Sequence, residues 1–199
     1  MKKTTFLLIA ILLLNITKTS AQEDANRECT IKYNLFKGDY QSKKYDDAFP
    51  NWIYLMDNCP TLSINIYKLG DKLTEARFKK ATNKTEALVL VKRVYKQRLE
   101  YFPTKDPAKV HSDYATFLVK NKLATDDEVF EILELAYSID PTRMGVKNIY
   151  RYFQGITDAN KDTNPQKVFD TYDDVLESVG EKLDDYAKKL RDLNAKVDA

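Results

Sequence analysis

Few residues of this 199-residue chain are equipped for chemistry. Its two cysteines are Cys29 and Cys59, and its one histidine is His111. A structural zinc site takes about four such ligands, so neither a metal site nor a cofactor is expected. A single imidazole leaves no Ser/His/Asp or Cys/His arrangement to build, and no glycine-rich phosphate loop occurs. Four acidic pairs (Asp46-Asp47, Asp126-Asp127, Asp173-Asp174 and Asp184-Asp185) could in principle hold a catalytic carboxylate couple. Neighbouring residues on a helix point in different directions, however, so these pairs read as solvated faces or first-turn charges. The stretch from Asp158 to Asn164 spaces oxygen ligands as an EF-hand loop begins. Thr163 stands where the tight-turn glycine belongs and Phe169 where the distal glutamate belongs, so it reads as a solvated loop capped by Asn164. Asn83-Lys84-Thr85 fits the glycosylation triplet but reads better as a helix cap. No enzymatic activity is expected.

Composition narrows the class of element that positions these residues. The chain is 43% hydrophobic and 31% charged, with 13 Tyr, 9 Phe and 1 Trp, which argues for a packed core and against disorder. Five Gly and six Pro supply too little turn chemistry for a many-stranded sandwich or barrel. With 32 basic and 30 acidic residues, the balance is too even for a strongly basic nucleic-acid binder. The expected fold class is all-α.

Lys2 and Lys3 precede an apolar run from Phe6 to Leu14, and small residues follow up to Ala21. That is the layout of a secretory signal peptide, cleaved after Ala21, and the run is too short to span a bilayer. Its removal takes Lys2, Lys3 and Lys18 and no acid, which turns the formal charge of +2 into −1. Export to the periplasm or cell envelope places Cys29 and Cys59 where a disulfide can persist. At opposite ends of an antiparallel helix pair the two would meet; the alternative is two buried free thiols.

Helical spacing then recurs three times. Tyr45, Ala48, Trp52, Leu55 and Pro60 are separated by three, four, three and five residues. The same steps link Leu88, Val91, Tyr95, Arg98 and Pro103, and again Asp126, Val129, Leu133, Ala136 and Pro141. Each set places four residues on one helix face with a proline just past the end. Another amphipathic stretch precedes each, marked by Leu35-Phe36, Leu69-Gly70 and Tyr114-Phe117-Leu118. Thr125 with Glu128 and Asn83 with Glu86 read as capping boxes, and Asp106-Pro107 and Asn164-Pro165 as caps before first-turn prolines. Pro50 falls inside one of these helices and predicts a bend.

Over residues 28–141 this pattern resembles the tetratricopeptide repeat (TPR), a helix pair of 34 residues, which is the separation of Leu35 and Leu69. Trp52 fills the aromatic slot, and the run from Ala136 to Pro141 is similar to the family's exit sequence. Arg98 departs from the pattern where a small residue is usual. The prolines are 43 and 38 residues apart, with the extra length of the second unit expected near Arg77–Lys84. The signal peptide, Cys29, Asn58-Cys59-Pro60 and the run from Tyr95 to Phe102 resemble exported TPR proteins of Bacteroidetes-type bacteria. The resemblance implies a right-handed array of antiparallel helix pairs whose first helices line a concave face. That face would offer Tyr33, Lys37 and Tyr40, then Tyr67 and Asp71, then His111, Tyr114 and Lys122, then Lys147 and Arg151, to a protein or peptide partner. The carboxylate clamp of some members is not recognisable, so that ligand class is not carried over. The cluster Arg77, Lys79, Lys80 and Lys84 reads as a solvated inter-helix loop, with an acidic lipid or partner as the alternative.

From Pro165 the pattern changes. Phe169, Tyr172, Leu176, Val179, Leu183, Tyr186, Leu190, Leu193 and Val197 alternate steps of three and four, a heptad stripe about four heptads long. Its first half can pair with a helix around Val146–Phe153; the rest needs another surface, either a second copy in a coiled coil or a helix outside this chain. Ala199 follows without a glycine cap, which reads as an unfinished helix of a truncated chain. The expected organisation is a signal peptide over 1–21, a TPR-like domain over 22–164 and a long amphipathic helix over 165–199. The expected role is a non-enzymatic scaffold binding a partner on the concave face, or an assembly subunit acting through the heptad helix.

Overall fold

A computed structural model describes residues 24–197, so the signal-peptide reading of residues 1–21 lies outside the described residues. Among the described residues the chain is all-α, with eight helices and no strand. Helix α1 covers 24–41, α2 Tyr45–Asn58, α3 Asn65–Lys80 and α4 Lys84–Tyr101. Helix α5 covers Pro107–Asn121, α6 Asp126–Ile139, α7 Val146–Asn160 and α8 Pro165–Val197. A 3-10 turn, Pro141–Arg143, joins α6 to α7. None of these helices is long and apolar enough to cross a membrane. The chain divides after Phe102 into two compact units, and within each unit neighbours in sequence pack on one another.

The helix ends follow local chemistry. Thr125 and Glu128 form a reciprocal capping box on α6, and the Asn83 side chain accepts from the Glu86 amide at 3.2 Å. Asn164 likewise accepts from the Lys167 amide at 3.4 Å. Asp106 departs from expectation: its side chain caps nothing and instead pairs with Arg143 at 2.8 Å. Its backbone is left-handed, at φ 60°, which turns the carboxylate away from the helix amides. Helix α2 continues through Pro50. The extra length of the second repeat lies in the helices rather than between them. Only three residues separate α3 from α4, whereas α4 has 18 residues against 14 in α2 and α6.

The first unit centres on Trp52, which is fully buried with Ala48, Leu55, Ile66, Tyr67 and Leu73. Its indole N–H donates to the Ile66 carbonyl at 2.9 Å, so the ring bolts α2 to α3 with its own buried donor paired. That approach requires Gly70, since a Cβ there would lie 2.3 Å from Trp52 Nε1. Cys29 and Cys59 are joined in a disulfide between α1 and the end of α2. The second unit buries Ala115, Val129, Leu133, Ala136, Met144 and Ile149. Tyr152 stacks there on Tyr137, with ring centroids 4.1 Å apart. In all three spaced segments the second, third and fourth positions are buried: Ala48, Trp52 and Leu55; Val91, Tyr95 and Arg98; Val129, Leu133 and Ala136. A shared spacing thus yields a shared inner face.

Candidate functional site

Helix α8 carries the largest run of exposed apolar side chains among the described residues. Its first half is anchored on α7 and on the 3-10 turn. The anchoring face is small and partly polar: Val175 and Val179 reach the core, while Thr171, Ser178 and Lys182 are buried beside them. Each buried polar group is satisfied. Thr171 and Ser178 donate back to the carbonyls of Lys167 and Asp174, and Lys182 Nζ donates to the Thr142 carbonyl at 2.7 Å. Short side chains let the helix approach closely, and the lysine pins it to the 3-10 turn.

This choice of inner face turns the heptad stripe outward. Phe169, Leu176, Leu183, Leu190 and Leu193 are 52–66% exposed, and Tyr172 and Tyr186 about half exposed. Two stripe residues touch the body of the unit: Val179 packs against its core, and the ring of Tyr172 lies 5.9 Å from that of Phe153. Beyond Lys182, every residue from 183 to 196 is exposed. That overhang is about 20 Å long at 1.5 Å per residue. Its charge is uneven. Residues 165–181 hold Lys167 against Asp170, Asp173, Asp174, Glu177 and Glu181, a net −4. Residues 182–197 hold Lys182, Lys188, Lys189, Arg191 and Lys196 against Asp184, Asp185 and Asp192, a net +2. The expected pairing of the first half of α8 with α7 is therefore found, but mainly by the face beside the stripe, with Val179 shared between the two. A smaller row, Val168 and Val175 at seven-residue spacing beside the stripe, is the signal for it in the sequence.

The residues expected on a concave face are differently placed. In the first unit Tyr67 is a core residue, wholly buried; its hydroxyl donates to the Pro60 carbonyl at 2.9 Å and its ring meets Phe102 edge-on. Burial pushes its phenol well above the ordinary range. It therefore offers no surface to a partner, because its helix face is the one that α2 and α4 cover. Tyr33 is half-buried, and its hydroxyl accepts from Ser63 Oγ and Asn65 Nδ2, each at 3.2 Å. Tyr40 packs between Phe36 and Tyr45; burial raises its pKa, with Tyr45 and then Asp71 adding to the shift. Asp71 accepts from the Tyr95 hydroxyl at 2.7 Å, so Tyr40 and Asp71 do lie near one another. Lys37 is exposed.

In the second unit His111 is half-buried, and desolvation lowers its pKa. Tyr114 is half-buried too, its pKa raised by burial and by Glu128. Lys122 is exposed but serves as the left-handed residue, φ 55°, that ends α5. Lys147 is exposed, whereas Arg151 is held by the Asn148 side-chain carbonyl at 2.8 Å. Asn148, buried, donates in turn to the Ser112 carbonyl at 2.7 Å, tying α7 to α5. Neither Ser112 nor Asn148 stands out in the sequence, since nothing in their spacing distinguishes a buried polar bridge from a surface pair. The stretch read as a solvated loop from Asp158 is helical as far as Asn160, the end of α7, and only 161–164 form the turn that Asn164 closes as the cap of α8. Of the basic cluster, Arg77 pairs with Asp46 and lies over Phe49, Lys79 pairs with Glu75, and Lys84 donates to the Lys79 carbonyl at the end of α3. Those contacts are structural. No group of three or more His, Cys, Asp or Glu among the described residues is placed to hold a metal ion.

No protein-family model, curated protein or solved structure matches this chain.

Proposed function

We propose that this chain is an exported, non-enzymatic protein-interaction subunit of the bacterial cell envelope, built from TPR-like helix pairs, and that its working surface is the outward stripe of α8. The observation that carries the reading is the stripe itself: seven large apolar side chains in heptad register, each about half or more exposed, on a helix already anchored by the adjoining face. A contiguous apolar surface of this kind marks an interaction site in a folded protein. The shared inner face of the three spaced segments supports the TPR-like reading, and the Cys29–Cys59 bridge supports an oxidising compartment. The alternative working surface, a concave face, is weakened by the engagement of Tyr67, Tyr33, Asp71 and Arg151 in internal contacts.

Affinity purification from envelope extracts with the wild type and with L183E/L190E tests this. Both leucines are exposed, so the double variant keeps the fold, which far-ultraviolet circular dichroism verifies. Co-purifying chains, whether other proteins or an untagged second copy of this chain, should be lost with the variant. A partner set that the variant leaves unchanged overturns the reading in favour of another face.

A further inference from the structure

Resting on the reading of α8 as the working surface, we infer that its occupant is α8 of a second copy of this chain, running antiparallel. Area is the first argument. Seven large side chains at about half to two-thirds exposure present on the order of 800 Å², the amount one partner contributes to a standard stable interface. Charge is the second. In a parallel pair the two halves of net −4 would lie against each other, and so would the two of net +2. Antiparallel pairing sets each acidic half against the other copy's basic half.

Register is the third. In an antiparallel coiled coil, positions of one type on one helix meet the other type on its partner. Reflection about residue 181 matches Phe169 with Leu193, Tyr172 with Leu190 and Leu176 with Tyr186, so six of the seven exposed stripe residues meet one another, and Leu183 falls opposite Val179, which its own unit partly buries. The same operation lays the overhanging half, 183–196, over the anchored half of the other copy, so the apolar stripe on both halves is covered. A two-fold arrangement of this type is closed and cannot grow into a filament.

The test is the mass of the full chain by light scattering with size exclusion, on the wild type and on L183E/L190E, at low and at high salt. The wild type should run as a dimer, and L183E/L190E should raise the dissociation constant roughly 100-fold or more. The dimer should weaken as salt is raised, because each acidic half lies against the other copy's basic half and salt screens that attraction. A wild type that stays monomeric overturns the inference. So does a dimer that tightens as salt is raised, the outcome for a parallel pair, whose like-charged halves repel. A monomeric wild type from which L183E/L190E still removes co-purifying proteins overturns the second copy alone and leaves the reading of α8 standing.

Discussion

Substituting Gly70 by alanine sets two local rules against each other. On an open helix face the change should stabilise by about 1 kcal/mol, because alanine loses less backbone freedom than glycine. At this position the new Cβ would stand 2.3, 2.8 and 3.0 Å from Nε1, Cε2 and Cζ2 of Trp52. The indole is wholly buried, so it cannot swing aside without displacing its neighbours. Overpacking of this sort costs about 1–3 kcal/mol. Moving the ring also breaks the donation from Nε1 to the Ile66 carbonyl, and a stranded buried donor costs about 1–3 kcal/mol more. The net is a destabilisation of roughly 3 kcal/mol once the helix gain of about 1 kcal/mol is subtracted. For a unit of this size each kcal/mol moves the midpoint by about 4–8 °C, so the first transition should fall by roughly 10–20 °C. Differential scanning calorimetry reads this directly. Gly38→Ala and Gly180→Ala are the controls, since a Cβ at either meets nothing within 4 Å; both should match or exceed the wild type. If Gly70→Ala behaves as they do, the close approach of α2 and α3 described above is wrong.

Two further outcomes follow from the same packing. Opening the Cys29–Cys59 bridge, by reduction or by C29A/C59A, frees a loop with a sequence separation of 30 and should cost about 3–4 kcal/mol in the chain-entropy model. Urea denaturation with and without reductant measures it, and overlapping curves would refute the bridge as a stabilising element. His111 has a pKa lowered by burial, so the unfolded chain binds the proton first as pH falls. Its contribution is intact above pH 6.5, the unfolded value, and is lost as pH drops through the lower folded value. Subtracting the pH profile of His111→Gln from that of the wild type isolates this slope; a flat difference between pH 7 and 5 would contradict the assigned burial.

The sequence alone determined where the helices lie and what ends them. Thr125 with Glu128, and Asn83 with Glu86, announce helix starts because a cap is a contact between residues three apart. The face that Ala48, Trp52 and Leu55 bury was legible for the same reason: helical periodicity is a local property, and the most apolar face normally turns inward. The tertiary structure decided what periodicity does not encode. On α8 the apolar stripe stays outside, because close packing on α7 favoured short side chains and a lysine reaching the Thr142 carbonyl over bulkier leucines and aromatics. Tyr67 looked like a contact residue until α2 and α4 closed over it, and Arg151 until Asn148 claimed its guanidinium. Whether a polar side chain is free for a partner depends on residues more than 30 positions away, as the link from Asn148 to Ser112 illustrates, and no local pattern records that distance.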